Sequence, residues 1–223
     1  PVLHWFDVAS MNELDRQFFV ERQLISRELA EGSGPRGVCI SREQNVSLMI
    51  NEEDHLRLQI IFPGLDLLEA FRVADQVDDQ LQERMEVAFN ADHGFLPACP
   101  SNLGTGLRAS VLMHLPALAL SDQRETVLEQ LSQKGIVVRG AYGEGGRVKA
   151  NLFQFSNRTS LGKSELEIVD EVEQAARSLQ GEENRQRDGL WRRSRPELED
   201  RAFRARAVLS QARMLSLDEF LSL

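Results

Sequence analysis

In the string Asn51-Glu52-Glu53-Asp54-His55-Leu56-Arg57, three consecutive carboxylates are followed by a guanidinium three residues later. Crowded into a tight turn, such acids repel one another, so the turn is too polar to bury and either stays open to water or receives a cation. Alternation with Leu56 and Leu58 directs Arg57 to the opposite face, away from the core. A solvated hairpin tip carries the same signature. The string Cys99-Pro100-Ser101-Asn102-Leu103-Gly104-Thr105-Gly106-Leu107-Arg108 suggests different chemistry. Two glycines flanking a threonine let backbone N–H groups come close to an anion. Arg108, entering a strand, can fork onto phosphate oxygens. No Gly-Lys-Ser/Thr follows, so this is not a Walker loop, and the glycine spacing is not that of a dinucleotide fingerprint. Cys99 is either an activated thiol beside that loop or a small buried hydrophobe, the commoner fate of a lone cysteine. Last, Arg139-Gly140-Ala141-Tyr142-Gly143-Glu144-Gly145-Gly146 runs from a strand end into a glycine-rich loop, which alone would read as a plain hairpin connection. Taken together, Arg57, Arg108 and Arg139 suit a polyphosphate, and Glu53 and Glu144 suit a cation of guanidinium shape.

These side chains need strands to carry them. Val46–Ile50 and Leu56–Phe62 alternate as two strands on either side of the acidic turn, and Pro63-Gly64 closes the pair. Leu107–Leu115, Ile136–Val138 and Leu152–Phe155 read as further strands, the last two flanking the glycine-rich loop. Helical spacing of Met11, Leu14, Phe18, Phe19, Leu24, Ile25 and Leu29 predicts a helix from Ser10 to Ala30, ended by Gly32-Ser33-Gly34-Pro35. Asp66, with Glu69 three residues on, opens a helix whose buried stripe would be Leu67, Phe71, Ala74, Val77, Leu81, Met85 and Ala88. Asp122–Lys134 is helical up to Gly135. Ser164 and Glu167 cap a helix with the stripe Leu166, Val169, Val172, Ala176 and Leu179. From Asn184 to Arg213 nine arginines stand against four acids, a pattern that is helical apart from Pro196. It is either a solvated face or a docking surface for an acidic or phosphorylated partner. Strands adjacent in sequence and interrupted by single long helices give an α+β class, with an antiparallel or mixed sheet flanked by helices.

Composition narrows the function. The chain has 223 residues, 42% of them hydrophobic and 27% charged, enough for a sizeable core and against global disorder. With 26 basic and 35 acidic side chains the formal charge is −9, which argues against a general nucleic-acid binder. No apolar run reaches the roughly 18–20 residues that span a bilayer, and Pro1–Ser10 lacks a secretory signal pattern. Cys39 and Cys99 are too few for a disulfide scaffold or a cysteine zinc site, so a reducing cytoplasm is expected. His4, His93 and His114 lack metal-ligand spacing, and Trp5 and Trp191 read as packing residues. The chain opens at Pro1 without an initiator methionine and stops at Leu223 within a helical pattern, as a piece of a longer protein would.

The strings NEEDHLR (51–57), CPSNLGTGLRASV (99–111), RGAYGEG (139–145) and SNRTSLGKSE (156–165) resemble the catalytic domain of the phosphagen kinases, the ATP:guanidino phosphotransferases. ISREQNVSLMINEEDHLRLQ (40–59) and LMHLPAL (112–118) are most similar to the bacterial branch, the protein-arginine kinases. The likeness covers roughly residues 12–180 and, more weakly, the remainder. It implies a curved antiparallel sheet flanked by helices, of glutamine-synthetase-like core, and transfer of the ATP γ-phosphate to arginine. Its implied layout is a remnant of a helical N-terminal region at 1–34, the phosphotransferase domain at 35–180 and a truncated helical extension at 181–223. Mapped by motif, Arg57, Arg108 and Arg139 would grip the phosphates. Arg108, Ala109, Ser110, Val111 and Leu112, with Arg139, Gly140, Ala141, Tyr142, Gly143 and Glu144, would line the nucleotide site. Glu53 would orient and deprotonate the acceptor, Glu144 would be a second carboxylate, and Cys99 a thiolate near the acceptor nitrogen.

The resemblance further implies ATP with Mg²⁺ held mainly by its phosphates, arginine-containing protein substrates, and a stress-response role in protein quality control. A zinc-binding activator protein, a chaperone–protease system and a homodimer are the implied partners, with neither nucleic acid nor membrane. Three departures stand out. The family's Ser-x-Arg-x-Arg does not occur before Glu53, Gln23 stands where the family holds a histidine, and no phosphoarginine pocket is evident before Leu223. Two rivals remain at this level: a non-catalytic nucleotide- or arginine-binding adaptor, and a phosphagen kinase acting on a free guanidino compound.

Overall fold

A computed structural model describes residues 2–140 and 150–223. Its contacts fall into two compact units, Pro1–Leu107 with Thr159–Val169 and Arg108–Arg158 with Asp170–Leu223.

The first unit opens with strand β1 (Leu3–Asp7), helices α1 (Glu13–Glu21) and α2 (Arg27–Glu31), and strands β2 (Gly37–Ser41), β3 (Val46–Ile50) and β4 (Leu56–Ile60). The four strands pair antiparallel in the order β1-β2-β3-β4. Residues 1–34 therefore contribute an edge strand as well as helical turns. That strand is mostly exposed and lacks the apolar alternation that marks β3 and β4. Its Trp5 ring covers Gly37, where an added Cβ would lie 2.0 Å from the indole. The single helix expected from Ser10 to Ala30 is two. Gln23 adopts φ 60°, a left-handed conformation that no right-handed helix passes through, and Ser26 then caps α2 by accepting the Leu29 N–H.

Val38, Met49 and Arg57 are successive partners across β2, β3 and β4, and so share one face. Against that face packs a core of Val8, Leu24, Ile25, Leu29, Ala30, Val38, Ile40 and Met49. Arg57 accordingly stands on the core-bearing side, not away from it. Alternation alone misleads because β3 is buried on both faces, from Val46 to Met49. Helix α3 (Leu67–Gln82) follows, capped as expected by Asp66 accepting from the Glu69 N–H. It ends before Met85 and Ala88, and Val77 is its one fully buried residue. The short hairpin β5 (Phe89–Asn90) and β6 (Gly94–Phe95) completes this part.

The second unit contains β7 (Ser110–His114), α4 (Pro116–Ala119), α5 (Arg124–Gln133), β8 (Ile136–Gly140) and β9 (Leu152–Asn157), with antiparallel order β7-β9-β8. One face of this sheet buries Ile136, Phe153 and Phe155, the two rings stacked with centroids 6.2 Å apart. Helix α6 (Glu165–Arg193) starts in the first unit with a reciprocal capping box: Ser164 N–H donates to Glu167 Oε2 at 2.8 Å, and Glu167 N–H to Ser164 Oγ at 3.3 Å. Val169, Val172, Ala176 and Leu179 are buried as foreseen from the periodicity, Ile168 and Ala175 are buried beside them, and Leu166, in the first turn, is 57% exposed. Further along α6, Glu183 is only 4% exposed and accepts the Ala117 and Leu118 N–H groups at 3.0 and 2.8 Å, capping α4. Helices α7 (Arg195–Gln211) and α8 (Leu217–Ser222) bury no residue. All the strand pairs are antiparallel and groups of helices separate them, so the class is α+β.

Candidate active site

The acidic turn joins β3 to β4. Asn51 takes φ 56°, a left-handed position that asparagine tolerates, and closes the loop by donating its N–H to the His55 carbonyl at 2.9 Å. Its side-chain amide donates to Pro35 O at 2.9 Å. The three acids then part company. The Glu52 side chain is 3% exposed: Oε1 accepts from Arg57 Nη1 at 2.6 Å and Oε2 from the Glu53 N–H at 2.7 Å. Burial alone would push this carboxyl up, but hydrogen bonds from Ser26 and the Glu53 N–H, with the Arg57 charge, outweigh it and hold the group below the usual carboxylate range. Asp54 faces elsewhere, accepting the Cys99 N–H on Oδ1 at 2.9 Å and the Asn102 amide on Oδ2 at 2.7 Å. Glu53 remains exposed. The expectation of a turn too polar to bury thus fails for Glu52, because each buried oxygen has its own donor.

Asp54 ties the acidic turn to the second motif within the same unit. After half-buried Cys99 the chain makes a single 3₁₀ turn, Pro100–Asn102, and the Cys99 Sγ lies 2.9 Å from the Ser101 hydroxyl. Gly104 is not part of the anion cradle read from residue type. Gly104 is buried, donates to Phe95 O and accepts from Phe95 N–H, and the Thr105 N–H donates to Ser160 O at 3.0 Å. The Leu107 N–H is taken by Thr105 Oγ1. At Gly104 φ is 104°, and a Cβ there would sit 2.4 Å from Ser160 O. Its glycine is required by backbone packing against protein, not by a ligand. The other thiol, Cys39 on β2, is pushed up by burial.

In the second unit the nucleotide-lining residues expected from motif lie on the sheet and just before it. Exposed Arg108 precedes Ala109, which is buried and donates its N–H to Asn157 Oδ1 at 2.9 Å. Leu112, Gln154 and Arg139 are partners across β7, β9 and β8 and form one row on the face opposite Phe153 and Phe155. Gln154 Nε2 donates to Ser110 Oγ at 3.1 Å, and Leu112 is 54% exposed. This face offers a guanidinium, an amide and an apolar surface side by side. Val111 and Gly140 fall on the opposite face by the same register, so of the predicted lining set they can contribute only backbone. Ala141, Tyr142, Gly143 and Glu144 lie outside the described residues.

Glu53, Arg57 and Cys99 thus belong to the first unit, and Arg108–Leu112, Arg139 and Gly140 to the second. Sequence reasoning passed over Glu52, Asp54, Ser101 and Gln154. The first two were hidden by their neighbour, since adjacent acids in a turn carry no label of direction. Gln154 had a usable signal, being the one polar residue inside the apolar strand Leu152–Phe155. Among the described residues, no group of three His, Cys, Asp or Glu side chains is placed to hold a metal ion.

The chain is 48% identical to a protein-arginine kinase of Symbiobacterium thermophilum over 218 residues and 46% identical to one of Bacillus subtilis over 223 residues. Both alignments cover 98% of this chain but 62% and 61% of those proteins, so the chain spans about three fifths of their length. Among solved structures, a lombricine kinase matches with TM-score 0.72 and 25% identity over 84% of this chain and 55% of its own. The duplicated taurocyamine kinase of Schistosoma mansoni, with bound transition-state-analogue components, matches with TM-score 0.68 and 30% identity over 79% of this chain and 26% of its own. Residues 3–186 match the model of the ATP:guanido phosphotransferase C-terminal catalytic domain, and it is to that family that the chain belongs.

Proposed function

We propose that the chain is the phosphotransferase region of a protein-arginine kinase, moving the γ-phosphate of ATP onto arginine side chains of proteins. The observation that carries this reading is Glu53, the one acid of its turn left exposed, on a peptide fixed by Glu52 before it and Asp54 after it. A guanidinium is a poor nucleophile because its lone pairs are delocalised. A rigid carboxylate can orient it by charge-assisted hydrogen bonds and accept its proton. In the transfer, the acceptor nitrogen forms a bond to the γ-phosphorus as the bond to the bridging oxygen breaks. ADP leaves with that electron pair, and the guanidinium proton passes to Glu53. Arg57, Arg108 and Arg139 would offset charge on the phosphates of the MgATP substrate, and Ser110, Leu112 and Gln154 offer the surface for the rest of the nucleotide. Glu144 is the proposed second carboxylate, and Cys99, hydrogen-bonded to Ser101, the proposed thiolate beside the acceptor nitrogen.

The likeness to the bacterial branch extends the proposal to protein quality control in the cytoplasm, with a zinc-binding activator protein and a chaperone–protease system as partners, and a homodimer as assembly. No helix among the described residues is long and apolar enough to cross a membrane. We take the phosphotransferase region to include residues 1–34, whose strand and core side chains complete the first sheet, and to be followed by a helical extension.

The test is incubation with γ-labelled ATP and an unfolded, arginine-containing protein. Acid-labile label on the protein is expected. Faster labelling of free arginine would move the assignment to a phosphagen kinase, and nucleotide binding without any transfer would leave an adaptor.

A further inference from the structure

The chemistry above leaves unused a buried carboxylate that sits one residue before the exposed one. Glu52 ends each oxygen on a different functional neighbour: Oε1 on the Arg57 guanidinium at 2.6 Å, and Oε2 on the peptide N–H that carries Glu53 at 2.7 Å. The hydroxyl of Ser26, the N-cap of α2, is a further neighbour that favours the ionised carboxylate. Desolvating an ionised carboxylate is costly, and a hairpin that needed only closure would be better served by an apolar or amide side chain. The closure is in any case supplied by Asn51, through His55 O and Pro35 O. What the charge adds is direction. An arginine with one nitrogen held at a fixed, buried acceptor loses rotation about its long stem before any ligand arrives, and its remaining N–H groups point along a set plane.

We propose that Glu52 is a positioning residue that aligns Glu53 and Arg57 through one carboxylate, so that the proton acceptor and the phosphate-binding guanidinium move as a unit. The proposal rests on the roles given above to Glu53 and Arg57. It predicts that replacing Glu52 affects nucleotide binding and transfer together, although both its carboxylate oxygens are engaged by protein donors.

The test uses Glu52→Gln, Glu52→Asp and Arg57→Lys in this chain, with ATP as the probe. In the amide NMR spectrum the Glu53 N–H should lie downfield, and Glu52→Gln should shift it while the amides of the second unit stay in place. Nucleotide affinity, read by calorimetry, should weaken about tenfold in Glu52→Gln, as for loss of one charge-assisted contact, and recover in part in Glu52→Asp. In the Arg57→Lys background Glu52→Gln should weaken affinity no further, the mark of two residues acting through one interaction. An unmoved Glu53 amide, or effects of the two substitutions that multiply, would overturn the proposal. Should Glu52→Gln not fold, Glu52→Asp, which keeps the charge but shortens its reach, must shift the same amide in smaller measure. If the unmutated protein transfers no phosphate, the kinase reading falls, yet the amide shift and the binding cycle still decide the role of Glu52.

Discussion

Glu52 and Glu53 are adjacent, chemically identical and oppositely placed, and substitutions should separate them. Glu53→Gln should lower the transfer rate about 10²–10⁴-fold, the usual contribution of a positioned base. ATP affinity should stay within about twofold, as calorimetry would show. Arg139→Ala should do the reverse. Losing a charge-assisted phosphate contact of about 1.5–3 kcal/mol weakens ATP binding on the order of 10–100-fold, and an unchanged affinity would remove Arg139 from the nucleotide face. Acid sensitivity distinguishes Glu52. Its carboxyl is held low in the folded state by the hydrogen bonds and charge that overcome burial. The stability it contributes is therefore present above the ordinary carboxylate pKa and lost as pH falls through the lowered folded value. Denaturant melts between about pH 5 and pH 3 should show a shallower loss of stability in Glu52→Gln than in the parent, given a reference glutamate near 4.3. The sequence made Glu53 and Arg57 visible as charged types at suggestive spacing. It could not show which of the three acids turns inward to the Arg57 guanidinium, because adjacent acids in a turn carry no label of direction.

At the scale of elements, β3, β4, β8 and β9 were legible because apolar alternation or an apolar run marks them. Strand β1 was not, since it is mostly exposed and is held by pairing with β2 rather than marked by an apolar pattern of its own. The break between α1 and α2 escaped for a similar reason. Apolar spacing continues across Gln23 although its backbone does not stay helical. The glycine motif was recognised correctly as a place of close approach, but the approaching partner is protein. Phe95 on one side and Ser160 on the other occupy Gly104, and Gly94 lies so near that a Cβ on it would meet Gly104 O at 2.4 Å. Gly104→Ala should therefore cost at least about 2 kcal/mol, from the disfavoured φ together with the displaced backbone. A thermal melt would register the loss. A melting temperature equal to the parent's would mean that the loop has room the structure does not show.

For the molecule as a whole, the excess of acids gives a formal charge of −9 while the proposed acceptors carry arginine. Long-range attraction should then speed encounter with basic proteins. Raising salt from about 0.05 M to about 0.5 M should reduce kcat/KM several-fold for an arginine-rich protein, and far less for a short acidic peptide with one arginine, because the Debye length shrinks from above 10 Å to below 5 Å over roughly that range. Equal salt dependence of the two would argue that charge plays no part in recruitment. The arginine-rich tail read from sequence as an extension is less separable than its composition suggests. Glu183, inside that tail, is the acceptor for two peptide N–H groups in the turn that follows β7. Anyone trimming the protein after Gln180 to obtain a minimal enzyme would strip those buried amides of their acceptor, at about 1–3 kcal/mol each. The shortest soluble fragment worth expressing reaches past Arg187, whose guanidinium lies 3.1 Å from the same carboxylate.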